Sequence, residues 1–107
     1  MKDINIYFIV TAYLKGIRVS FKNLALDRDM IKDAVHSFDH NLIVSAEQAT
    51  DRQLRFSAHF EGQSKALVII HLNNNGKTTI QATSGANKDL SGQIASHIVA
   101  QCQIAIA

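Results

Sequence analysis

The chain has 107 residues, 47% of them hydrophobic, with no proline or tryptophan, one cysteine and a formal charge of +2. These figures suit one globular domain, since domains commonly run to roughly 100–150 residues, and they exclude a disulfide scaffold because a lone cysteine has no partner within the chain. The net charge selects no class of partner, but its distribution is uneven: residues 27–39 hold Asp27, Asp29, Asp33 and Asp39 against Arg28 and Lys32, whereas residues 52–88 hold Arg52, Arg55, Lys65, Lys77 and Lys88 against Glu61 alone.

The longest apolar stretch, Ile4 to Leu14, is far shorter than the ~20 residues that cross a bilayer. It also lacks the basic flank and small-residue cleavage site of a secretory signal, so no membrane association and a cytoplasmic location are expected. Residues 4–10 and 17–21 are rich in β-branched and aromatic side chains and predict an extra strand pair within about the first 20 residues, turning near Gly16. Asp27 is placed to cap a helix reaching Phe38, whose apolar face holds Met30, Ile31, Ala34, Val35 and Phe38.

A strand series follows. Residues 42–46 begin it, and from Arg52 to Phe60 the alternation puts Leu54, Phe56, Ala58 and Phe60 on one face and Gln53, Arg55, Ser57 and His59 on the other. Glu61-Gly62-Gln63-Ser64 reads as a turn into Lys65–Leu72, with Ala66, Val68, Ile70 and Leu72 inward. Asn73-Asn74-Asn75-Gly76 carries residue types that tolerate positive φ in a tight hairpin, leading into Thr78–Ala82. The strands from 52 to 83 are expected to form an antiparallel meander. After Ser84-Gly85-Ala86-Asn87, a helix from about Lys88 to Gln103 puts Leu90, Ile94, His97, Ile98 and Cys102 on roughly one side, to cover a sheet face. No linker, repeat or low-complexity tract divides the chain, so residues 1–107 read as a single domain.

Five histidines invite a metal or general-base reading. His36 and His40 share a helix face but have no third ligand at a matching spacing, and a helix C-terminus that suits imidazolium explains them more simply. His97 and Cys102, five apart, do not align as two ligands on a helix, so His97 reads as a partly buried histidine and Cys102 as structural; neither a metal nor a cofactor is expected. There is no Gly-x-Ser-x-Gly elbow for a nucleophile, and Gly76 and Gly85 do not fit a phosphate-binding loop. Arg52 and His59 enclose six residues, formally the Arg-x4–6-His spacing of helical ribonucleases. The period-two pattern puts them on a strand, where that spacing has no catalytic meaning.

What remains is a surface. The outward face of the meander carries Arg55, His59, Lys65, Leu67, Ile69, His71, Lys77 and Gln81, a mildly positive set with two aliphatic side chains near its middle. Leaving Leu67 and Ile69 in water forgoes about 1.5–3 kcal/mol each, so the face is expected to be covered by residues 4–20, by a second copy of the chain, or by a partner. Protein is the expected partner, and RNA the alternative, because few charges and no aromatic ring face outward. A second candidate, for an anion, is the start of the last helix at Ser84, Gly85, Asn87 and Lys88, although Asn87 is better placed to cap the helix.

His71 to Ala95, reading HLNNNGKTTIQATSGANKDLSGQIA, resembles the N-terminal region of the RNase LS-type toxins, endoribonucleases of a bacterial toxin–antitoxin and phage-defence system. The likeness covers about 21–103; its most specific part is Gly76, Thr78, Thr79, Ile80, Gly85 and Asn87, and it includes Phe21-Lys22-Asn23-Leu24-Ala25-Leu26. Residues 1–20 have no counterpart in that pattern. The resemblance implies an α+β fold like that of TATA-box-binding protein, a curved antiparallel sheet with helices packed on one face. It also implies that the catalytic residues lie in a C-terminal helical domain outside this chain. The expectation is therefore a non-catalytic accessory or regulatory module whose protein partner is a toxin domain, an antitoxin or a second copy; the alternative is a weak RNA-binding module that positions transcripts for a nuclease.

Overall fold

A computed structural model describes residues 23–83, 87–102 and 104–106. Strand segments expected at 4–10 and 17–21 lie outside the described residues, as do Ser84 and Gly85. The described elements are helix α1 (Arg28–Phe38), strands β1 (Ile43–Ala49), β2 (Gln53–His59), β3 (Ala66–Leu72) and β4 (Thr78–Ala82), helix α2 (Lys88–Gln101) and a two-residue strand β5 (Ala105–Ile106). They form an α+β domain whose sheet has the order β1-β2-β3-β4-β5. The first four strands are antiparallel neighbours, and β5 joins parallel to β4 after the α2 crossover.

The alternation in β2 and β3 becomes the inner face of the sheet. Leu54 pairs with Ile70, Phe56 with Val68 and Ala58 with Ala66, and all six are buried. Ile80 of β4 continues the row opposite Ile70. Ile31, Ala34 and Val35 of α1 and Leu90, Ile94, Ala95 and Ile98 of α2 join the same cluster. Both helices therefore cover one side of the sheet.

Two glycines set the hairpins. Gly62 (φ +77°) follows Glu61 in a turn closed by Gln63 N donating to Phe60 O at 2.9 Å, and a left-handed residue at that third position is what a type II turn requires. At the β3–β4 hairpin, Gly76 N donates to Asn73 O and Gly76 itself has φ +81°. Gly76 alone takes the left-handed conformation there, because no described non-glycine residue has positive φ; the three asparagines contribute side chains instead, such as Asn75 Oδ1 accepting from Lys77 N at 3.0 Å.

Several expectations are corrected. Asp27 makes no side-chain cap on α1. Its backbone is already turning (φ −92°, ψ 4°), so its carboxylate reaches back to accept from Asn23 N at 3.3 Å. Asp33 is buried although it lies off the apolar face, and the helix shows solvent one acid fewer than its sequence carries. The helix at the other end stops at Gln101 rather than Gln103, because Cys102 adopts extended backbone (φ −122°, ψ 158°) and turns the chain towards β5. Arg52 lies in the turn before β2 rather than on the strand, held there by Thr50 Oγ1, which accepts from the backbone N–H groups of Arg52 and Gln53.

Candidate functional site

The outward face of the sheet gathers most of the residues that alternation assigns to it. Across the strands the register sets Gln48, Arg55, Ile69 and Gln81 in one row and Ser45, Ser57 and Leu67 in the next. A third row runs Gln53, His71 and Thr79. Arg55 and Gln81 are exposed, Leu67, Ile69 and His71 half-buried, and Ser57 buried. The aliphatic pair thus sits at the centre of the face with polar groups on either side.

The remaining expected members lie at the strand ends. Lys65 is exposed just before β3, and Lys77 is exposed in the hairpin turn, so it belongs to the rim of the face rather than to β4. His59 closes β2 opposite Ile43, and its Nδ1 is buried with no hydrogen-bond partner among the described residues. Arg55 is not wholly free for a ligand: its Nε lies 3.9 Å from Glu47 Oε2, both side chains being well exposed, and a pair of that kind contributes little and is readily exchanged. Glu47 reaches outward because it occupies an irregularity between Ala46 and Gln48 where β1 shifts register; such bulges re-aim a side chain.

The other sequence candidates separate. Arg52, just before β2, and His59, at its far end, are roughly 20 Å apart at the rise of a strand, and Arg52 donates from Nη2 to Asn74 Oδ1 at 2.9 Å. They are not brought together as an acid–base pair. His36 lies in the last turn of α1 and donates from Nε2 to Leu42 O at 3.0 Å, tying the helix end to the start of β1, while His40 is exposed. Among the described residues no three His, Cys, Asp or Glu side chains gather as metal ligands. Asn87 caps α2, its Oδ1 accepting from Leu90 N at 3.2 Å, and its Nδ2 donates to Ser64 O at 3.3 Å. Lys65 and Lys88 therefore flank the same junction, next to residues outside the described set.

Sequence reasoning missed a polar tie between the helices. Ser37 Oγ lies 2.6 Å from Ala34 O, 2.8 Å from Gln101 Oε1 and 2.9 Å from His97 Nε2. A hydroxyl has one proton to give, so His97 meets it by donating from Nε2 as a neutral imidazole. Burial lowers the His97 pKa below its ordinary 6.5 and favours that neutral form. The ring also meets Phe38 edge to face at 5.4 Å. Ser37 and His97 are 60 residues apart, and no local spacing announces the contact. A cleft of about 170 Å³ between α1 and β1, lined by Arg28, Asp29, Ile31, Lys32, Val44, Ala46, Leu54 and Phe56, was equally unannounced.

With the geometry in place, comparison with known families decides the kinship: residues 21–98 match the family described as RNase LS, bacterial toxin N-terminal. The chain belongs to that family. The match spans α1, β1 to β4 and most of α2, and so takes in the strands that form the outward face but not β5. No curated protein matches the chain. No described helix is long and apolar enough to cross a membrane.

Proposed function

We propose that this RNase LS toxin N-terminal domain is a non-catalytic recognition module, cytoplasmic, that holds a protein partner of a toxin–antitoxin, phage-defence system against the outward face of its sheet. In this reading the sheet is the curved, one-sided kind found in TATA-box-binding protein. One observation supports it above the rest: both helices pack on the inner face, while Leu67 and Ile69 stay half-exposed at the centre of the other, between exposed Arg55 and Gln81. Apolar groups ringed by exchangeable polar ones are the usual composition of a protein-docking patch.

Protein is favoured over RNA because the outward rows contain no phenylalanine, tyrosine or tryptophan for base stacking and Arg55 is the only Lys or Arg in them. The expected test outcome is that Arg55→Glu with Lys65→Glu weakens binding to the antitoxin or to the toxin's helical domain by about tenfold, a loss of roughly 1.4 kcal/mol. Circular dichroism of the variant should match that of the parent, both positions being exposed. Titration with salt separates the readings: docking through Leu67 and Ile69 changes little, whereas single-stranded RNA gives a slope of about −0.7 per phosphate contact. Unchanged affinity in the double variant would overturn the proposal, and ribonuclease activity of the purified domain that Arg52→Ala and His59→Ala each abolish would replace it with an enzyme.

A further inference from the structure

The cleft between α1 and β1 lies on the opposite side of the sheet from the face discussed above, and it adjoins a strand edge. β1 ends the sheet order, so among the described residues its outer edge pairs with no strand. Most of its residues are exposed, and Ile43 leaves 48% of its surface in water. An unpaired edge offers a row of backbone donors and acceptors. Beyond the irregularity at Glu47 the strand is poorly shaped for pairing, but Ile43–Ala46 stay in regular register with β2. Val44 and Ala46, from that regular half, also line the cleft.

A strand laid along Ile43–Ala46 points every second side chain to the inner face, which is where the cleft lies. Its volume of about 170 Å³ exceeds that of the engineered apolar cavity of about 150 Å³ that admits benzene, so it takes one large aliphatic or aromatic side chain. Ile31, Val44, Leu54 and Phe56 supply apolar walls, and Arg28 and Lys32, one helical turn apart, stand on the α1 side with Asp29 as the single acid. The first turn of α1 adds the positive end of its dipole. Backbone pairing beside a pocket for one alternate side chain is how sheet edges bind extended peptides.

We propose that this edge and cleft bind an extended acidic peptide segment of another protein by strand addition, with one large apolar side chain seated in the cleft and a carboxylate two residues away, on the same face of the added strand, between Arg28 and Lys32. A second copy of the chain is a poorer occupant, because two-fold pairing of β1 with itself sets Arg28 and Lys32 near their own copies and offers the cleft only Val44 and Ala46.

The probe is a dye-labelled, acetylated octapeptide in which leucine and aspartate take turns at every second position, so that both lie on one face of the strand, with threonine between them; it is titrated into the full chain and followed by anisotropy, with a lysine-for-aspartate peptide beside it. The acidic peptide is expected to bind and the lysine peptide to bind roughly tenfold more weakly or worse, as for loss of a principal contact. Ala46→Phe fills the cleft from within without changing charge, and Arg28→Glu with Lys32→Glu reverses its mouth; each should weaken the acidic peptide by a similar factor. Gln93→Ala, exposed on α2, should not. Equal affinity for the two peptides, or indifference to both sets of variants in folded protein, overturns the proposal. Concentration-dependent self-association in light scattering that Ala46→Phe abolishes would assign the edge to a second copy and overturn it as well. Because Arg55 and Lys65 lie on the other face, neither outcome bears on the docking reading above.

Discussion

A single histidine links the stability of this domain to acid. His97 donates to Ser37 between the two helices, and burial holds its pKa below the ordinary 6.5. Above 6.5 the imidazole is neutral both folded and unfolded, and its contribution to stability is complete. As the pH falls below 6.5 the unfolded chain takes up the proton first, and stability is lost until the folded state also protonates. Its described contacts, Ser37 and Phe38, carry no negative charge to offset the burial of the cation. The urea midpoint is therefore expected to drop between pH 7.5 and pH 5, and the drop should be smaller in His97→Gln, which keeps a polar side chain without the titration. Equal drops in the two proteins would show that the proton goes elsewhere.

Elements depend on what their ends do, and the two helices start differently. α2 has a side-chain cap from Asn87, which also reaches Ser64, whereas Asp27 gives α1 none. Asn87→Ala should therefore cost about 1 kcal/mol in urea unfolding, with Asn87→Ser recovering much of it because serine also caps; no recovery would mean that the Ser64 contact carries the effect. The Asn87 cap was legible from one residue type before a helical pattern, and the α1 cap was misjudged because Asp27 fits the same rule while its backbone does not. The meander was legible for a stronger reason. Period two ties every residue of a strand to a face, so reading Phe56 as inward made Arg55 outward and set it beside Ile69 in the register that forms. What alternation cannot give is the behaviour at strand ends. Lys77 falls in a turn, Arg52 falls before its strand, and the irregularity at Glu47 leaves no mark in the pattern of β1. The Ser37–His97 tie and the α1–β1 cleft are tertiary, assembled from segments that no local window joins.

At the scale of the molecule the sheet closes on its last described segment. Residues 104–106 follow α2 back to β4, where Thr79 pairs with Ala105 and Ile80 with Ile106 in parallel. A parallel neighbour needs a crossover, and α2 is that crossover, so β5 is too short to signal itself and becomes a strand only because the helix delivers it. Its arrival places Ile104, 3% exposed, in the same cluster as Ile80 and Ile98. Without it, β4 becomes an edge and that part of the core beside α2 is opened to water. A chain ending at residue 103 should therefore lose about 2–5 kcal/mol in urea unfolding, the range for emptying a buried isoleucine site, with any loss of β4 pairing added. Ile104→Ala separates the two contributions, because it removes the side chain and keeps the backbone ladder. If the point variant loses as much as the truncation, burial alone holds the segment; if the truncation loses clearly more, β5 acts as a strand; and if neither shifts the midpoint, the closure of the sheet by residues 104–106 contributes nothing to the fold.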